Sequence, residues 1–115
     1  MTLEQFYRTV GGTAAEAAPR LGGAAMTLRF LRLFPQDGSF SALAAALRSS
    51  DTGAAFRAAH TLKGVAANLG LERLRAPASD MTECLRSGDL PGAWALYPET
   101  EEAYRQVLTA LEGLE

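Results

Sequence analysis

An all-α chain is predicted, and three observations predict it. The sequence has no Ile and only three Val, at 10, 65 and 107. Ala and Leu together make up about a third of it, and both are strong helix formers where strands favour β-branched residues. Apolar residues recur three and four apart in every long segment, the spacing of one helix face.

The N-terminal elements come first. Leu3, Phe6, Tyr7 and Val10 share a face; Thr2 and Gln5 form a capping box, and Gly11–Gly12 stop a short helix. Thr13 and Glu16 repeat the cap pattern, but Pro19 and Gly22–Gly23 break the stretch after it. A firmer helix runs from about Ala24 to Phe34, with Met26, Phe30, Leu33 and Phe34 on one face. Pro35 and Gly38 interrupt it, and Ser39 caps a continuation carrying Phe40, Leu43, Ala44 and Leu47. Asp51 or Thr52 caps the next helix, which Gly70 ends. Leu71, Leu74, Ala78, Met81 and Leu85 mark another, kinked at Pro77 and ended by Gly88. Asp89 and Pro91 read as a cap and a first-turn proline. Tyr104, Val107, Leu108, Leu111 and Leu114 line the last helix, with a bend at Pro98.

These segments give four helical regions, roughly 24–49 (broken near 35–38), 53–69, 71–87 and 90–114. Short loops between them predict an antiparallel four-helix bundle, with a short additional N-terminal helix across one end. One domain, 1–115, is expected.

Composition excludes several functions. The net charge of -2 lacks the basic face that a phosphate backbone needs, so nucleic acid is not expected as a ligand. No apolar run reaches about 18 residues, so no membrane span is expected. MTLEQFYRTV lacks the basic start and apolar stretch of a signal peptide, and a cytoplasmic protein is expected. One Cys (Cys84) and one His (His60) exclude a disulfide framework and a zinc-type cluster, so no metal site is expected. The start at Met1 and the compact end at Glu115 favour a free-standing protein, and a monomer is the default.

The chemistry lies in residues 54–70, AAFRAAHTLKGVAANLG. Ala55, Ala59, Leu62, Ala66 and Leu69 form a core stripe, widened by Ala58 and Val65. His60 precedes Leu62 by two residues, roughly 200° away around the helix. Arg57, His60, Thr61, Gly64 and Asn68 therefore form the wet face. Lys63 and Gly64 follow His60 by three and four residues, so both neighbour it. Glycine inside a helix costs about 1 kcal/mol relative to alanine. In a chain that uses Ala so freely, Gly64 needs a reason, and close approach of another molecule beside the His supplies one.

A neutral imidazole is a competent nucleophile near pH 7. A phosphoryl group on His60 would bring negative charge that the Lys63 ammonium offsets. Asn68 would offer amide hydrogen bonds to a partner. No Asp or Glu lies within four residues of His60, so carboxylate repulsion on this helix is absent.

The run AHTLKGVAANLG, with His60, Lys63, Gly64 and Gly70, resembles the H-x-x-K-G-x-x-x-x-x-G signature of histidine-containing phosphotransfer (HPt) domains. The length and the four-helix pattern also fit that family. The resemblance implies that His60 carries the phosphoryl group, that Lys63 stabilises it and that Gly64 leaves room for the partner. It also implies polar residues flanking the His from the following helix, for which Thr82 and Arg86 are the candidates. The chain departs from the family at Pro35–Gly38, Pro77 and Pro98, which bears on helix straightness.

No Walker-type loop is present, so a carrier is expected rather than an enzyme using ATP. His60 would take a phosphoryl group from a receiver-domain aspartyl phosphate, or from a hybrid histidine kinase relay. It would pass the group to another response-regulator aspartate. No cofactor is expected on this chain; the partner receiver would bring Mg²⁺ and the carboxylates. Phe56, Ala67 and residues of the first helices, Phe6 or Leu3, are candidates for an apolar docking ring.

Two alternatives stand beside this one. One is a helical module that binds a receiver or kinase domain without being phosphorylated. The other is a scaffold with an incidental His60, which would need a large exposed apolar stripe that the pattern does not show. Cys84, Trp94, Tyr97 and Tyr104 are expected to pack. Glu99, Glu101 and Glu102 are expected in a solvated N-terminal turn, and Arg29 and Arg32 on a wet face.

Overall fold

A computed structural model describes all 115 residues, and every regular element in it is helical. The helices are α1 (Leu3–Val10), α2 (Ala14–Leu21), α3 (Ala24–Leu33), α4 (Ser39–Arg48), α5 (Thr52–Leu69), α6 (Glu72–Arg86) and α7 (Leu90–Glu112). A single 3₁₀ turn, Phe34–Gln36, joins α3 to α4.

Consecutive helices α4, α5, α6 and α7 pack side by side around one core, α5 between α4 and α6. Three-residue turns or shorter join them, which forces neighbours to run antiparallel. The α3–3₁₀–α4 segment forms the first, broken member of the bundle. Phe34 lies 5.7 Å from Tyr104, and Phe40 stacks on Tyr104 at 4.3 Å and Tyr97 at 5.8 Å. The 3₁₀ turn and α4 thus both touch α7, while α3 packs on α2 and α5. Gly38 holds the cap position of α4, and Ser39, whose amide donates to the Asp37 carboxylate at 3.1 Å, begins the helix instead of capping it.

The core holds the predicted apolar residues of α5 and α6. Ala55, Ala59, Leu62, Ala66, Leu74, Ala78 and Met81 are fully buried. Cys84 packs against this core as a small half-buried side chain. Burying a side chain of Leu size contributes about 1.5–3 kcal/mol, so these stripes, rather than helix propensity, hold α5 in place.

Helix α1 crosses one end, as predicted. Phe6, Tyr7 and Val10 are buried, and the Tyr7 hydroxyl donates to the Leu69 carbonyl at 2.7 Å. Arg73 of α6 reaches the Thr9 carbonyl at 2.6 Å. Gly12 is required here, because a β-carbon on it would lie 2.2 Å from the Gly70 carbonyl oxygen.

The structure corrects several expectations. Pro19 lies inside α2 and does not break it, whereas Gly22–Gly23, both with positive φ, end that helix as expected. Since α7 begins at Leu90, Glu99, Glu101 and Glu102 lie in mid-helix and not in an N-terminal turn. Glu101 there pairs with Arg105 at 3.5 Å and accepts from Tyr97 at 3.3 Å.

The face assigned to α3 is also corrected. Thr27, Leu31 and Phe34 point into the core, while Met26, Phe30 and Leu33 are 37%, 38% and 56% exposed. Apolar residues surround α3 on most sides, so spacing alone fits two faces. Burial of Thr27 is possible because its hydroxyl donates to the Gly23 carbonyl at 2.7 Å. Trp94, expected to pack, leaves 40% of its surface exposed while leaning on Tyr97.

Candidate functional site

Helix α5 is long and held at both ends. At its start the Asp51 carboxylate accepts from the Ala54 amide at 3.1 Å. At its end Gly70 adopts φ 76°, the left-handed conformation that glycine tolerates best. Its last carbonyls have partners from the preceding helices. Arg20 donates to Ala67 at 3.1 Å and to Asn68 at 3.3 Å, and Tyr7 donates to Leu69. An arginine at a helix C-terminus also offsets the negative end of the helix dipole. Burial pushes the Tyr7 hydroxyl up to about 12, against a smaller pull from the Arg20 guanidinium. It is therefore a neutral donor at ordinary pH.

His60 stands at the middle of this anchored helix and is exposed, while Ala59 and Leu62 beside it are fully buried. Its ring lies against Phe56, one turn earlier, with centroids 6.0 Å apart and planes 11° from parallel. Phe56 is half-buried and packs on the core. The Arg86 guanidinium of α6 lies over the Phe56 ring, 4.9 Å from its centroid. Arg86 also pairs with Glu83, with nitrogen–oxygen distances of 3.3 and 3.4 Å.

Lys63 is half-buried and belongs to none of the four ion pairs of the chain. Gly64 is exposed, and a β-carbon built on it meets nothing within 4 Å. Close helix packing therefore does not account for that glycine. The space beside His60 opens to solvent.

One flanking candidate is corrected. Thr82 is fully buried, and its hydroxyl donates to the Ala78 carbonyl at 2.7 Å. It cannot face a group on the exposed imidazole. Arg86 reaches the site through Phe56. Asn68 is exposed two turns beyond His60 and lines a shallow groove with Phe30, Leu33, Val65 and Leu69.

The ring residues expected from the first helices do not stand beside His60. Phe6 is fully buried, and α1 sits at the Leu69 end of α5, about 13 Å along the axis from His60. Half-buried Leu3 belongs to the same end. Phe30 and Leu33 of α3 supply exposed apolar surface instead. Alternation of apolar residues on α3 was the only signal for them in the sequence, and it pointed inward.

No group of three His, Cys, Asp or Glu side chains is placed to hold a metal ion. No helix is long and apolar enough to cross a membrane. The arrangement offers one exposed nucleophile, two cations on its face, Arg57 and Lys63, and open space at Gly64.

Searches of curated proteins and of solved structures return no match. The sequence model of the family described as "Hpt domain" matches residues 36–113, which takes in α4 to α7 and most of the chain. Helices α1 to α3 lie outside that match. The chain belongs to the Hpt domain family, the histidine phosphotransfer carriers of two-component signalling.

Proposed function

We propose that His60 is the phosphorylated residue of a phosphorelay carrier. An imidazole nitrogen of His60 attacks the phosphorus of a receiver-domain aspartyl phosphate. The nitrogen–phosphorus bond forms as the phosphorus–oxygen bond to the aspartate breaks, and the carboxylate leaves on the receiver. The reverse step delivers the phosphoryl group to another response-regulator aspartate. A hybrid histidine kinase relay is a further source of the same group.

The observation that carries this reading is His60 itself, exposed at mid-helix beside Lys63, with open space at Gly64. Lys63 is free of ion pairing and stands one turn along, where its ammonium offsets the charge of the phosphoryl group. Mg²⁺ and the acidic residues of the reaction belong to the receiver. The chain's own part is an oriented nucleophile and a place to dock.

Docking uses the groove between α3 and α5. Phe30, Leu33 and Val65 give apolar contact, and Asn68 gives amide hydrogen bonds beside the Asp37 carboxylate. An acidic receiver active site suits the cations Arg57 and Lys63 on the His60 face. The protein works as a single domain, a cytoplasmic monomer, in this reading.

Incubation with a panel of phosphorylated receiver domains tests it. Acid-labile label passes to the wild-type chain and not to His60→Gln. Binding without transfer would instead support a module that only docks, and neither would support a scaffold.

A further inference from the structure

We propose that Phe56 is a positioning residue for His60, and that Arg86 acts through Phe56 rather than on the phosphoryl group. This inference rests on the reading of His60 as the phosphorylated residue.

An exposed histidine on a helix samples several staggered side-chain rotamers, and its χ2 is broad. Phosphoryl transfer to an aspartate, or from it, needs the attacking nitrogen aligned with the phosphorus–oxygen bond that breaks. Free rotation of the ring dilutes the aligned population. His60 has Leu62 and Ala59 on the buried side and open space at Gly64, so its own helix limits it little on that flank.

Phe56 supplies the limit. It lies four residues earlier, where helical side chains meet. Its ring is 11° from parallel with the imidazole at a centroid separation of 6.0 Å, within the range of offset aromatic stacking. Phe56 is itself anchored, because it is half-buried against the core. It thus links the rigid interior to a ring that would otherwise swing in solvent.

Arg86 completes the arrangement. Its guanidinium is 4.9 Å from the Phe56 ring centroid, a cation–π distance. The Glu83 carboxylate, one turn earlier on α6, accepts from Arg86 Nε and Nη2 at 3.3 and 3.4 Å. The guanidinium is therefore held between a carboxylate and an aromatic face, and its charge is partly satisfied. Lys63 and Arg57, one turn to either side of His60, belong to no ion pair. Phe56, Leu85 and Arg86 line one small groove with the start of α5, which keeps the α5–α6 contact next to the site.

Because His60 is the only histidine, its ring protons are self-assigning in a proton–carbon spectrum. The test compares wild type with Phe56→Leu, Phe56→Tyr and Arg86→Met. It reads the His60 ring-proton shifts in the free protein and single-turnover transfer from a phosphorylated receiver at saturating receiver. It also reads His60 labelling by phosphoramidate, a small donor that needs no docking surface and loses ammonia as the nitrogen–phosphorus bond to His60 forms.

Phe56→Leu is expected to move the ring-proton shifts and slow both reactions about tenfold. Phe56→Tyr, which keeps a flat ring, restores both. Arg86→Met gives a smaller loss of the same kind, which places Arg86 behind Phe56. Unchanged shifts and rates in Phe56→Leu, with the helical spectrum intact, would overturn the proposal. So would a loss confined to the receiver reaction, because Phe56 would then be a docking residue. An Arg86→Met loss larger than that of Phe56→Leu would overturn the part given to Arg86. If wild type takes label from neither donor while the ring shifts still respond to Phe56→Leu, the reading of His60 fails together with this role, though the stacking itself stands.

Discussion

The Tyr7 hydroxyl donates to the Leu69 carbonyl at 2.7 Å, across sixty-two residues of chain. With Arg20 on the Ala67 and Asn68 carbonyls, it gives the final turn of α5 the partners that a helix end otherwise lacks. The N-terminal helices thus anchor the helix that carries His60, far from His60 itself. Tyr7→Phe is expected to cost about 1–2 kcal/mol at neutral pH. Alkaline pH adds a signature. The folded-state hydroxyl is raised to about 12, so the unfolded chain ionises first. The stability that Tyr7 contributes is complete below about pH 10 and is lost as pH rises through 12. Denaturant melts from pH 9 to 12 are expected to show a shallower decline for Tyr7→Phe than for wild type. Tyr97 and Tyr104, also raised by burial, leave a residual slope in both.

Gly64 separates stability from function. A side chain there meets nothing, and replacing a mid-helix glycine gains up to about 1 kcal/mol of helix propensity. Gly64→Gln is expected to melt a few degrees higher, by roughly 3–5 °C, and to transfer phosphoryl groups poorly because the approach to His60 is filled. A variant that transfers at the wild-type rate would remove the clearance argument. A melting temperature below wild type would show a packing role for the glycine instead.

Lys63 is assigned an electrostatic role. Lys63→Ala is expected to slow transfer and shorten the phosphohistidine lifetime about fivefold, an effect that fades as salt rises. The core stays intact, because Leu62 and Ala66 beside it carry the burial. Equal lifetimes in wild type and variant across a salt series would count against this role.

Phe30 and Leu33 test the docking groove. Both are exposed, so Phe30→Asp and Leu33→Asp should leave the fold unchanged. Together they are expected to weaken receiver binding about tenfold or more, as loss of central apolar contacts does. His60 labelling by phosphoramidate stays at the wild-type rate. Unchanged affinity, read by titration calorimetry with a receiver domain, would move the docking surface elsewhere.

Much of this architecture was legible from local signals. Asp51, Gly70 and Asp89 mark helix ends by short-range bonds that residue type and spacing reveal. The α5 stripe is periodic and unambiguous, and it fixes the exposed side of His60. Other features depended on tertiary context. On α3 the apolar residues surround the axis, so only contact with α2 and α5 selects Thr27 and Leu31 as the buried face. Thr82 looked available because it is polar, yet its hydroxyl is satisfied one turn back at Ala78. Pro77 and Pro98 lie inside the helices where the sequence places them. The Phe56–His60 spacing was visible, but the position of Arg86 over that ring comes from α6 and was not.

One measurement bears on the centre of the account. A radiolabelled phosphoryl group is supplied from phosphorylated receiver domains to wild type and to His60→Gln, both shown folded by their helical spectra. The account predicts acid-labile, alkali-stable label on wild type and none on His60→Gln. Equal labelling of the two proteins, or no labelling of wild type across the receiver panel, would contradict it.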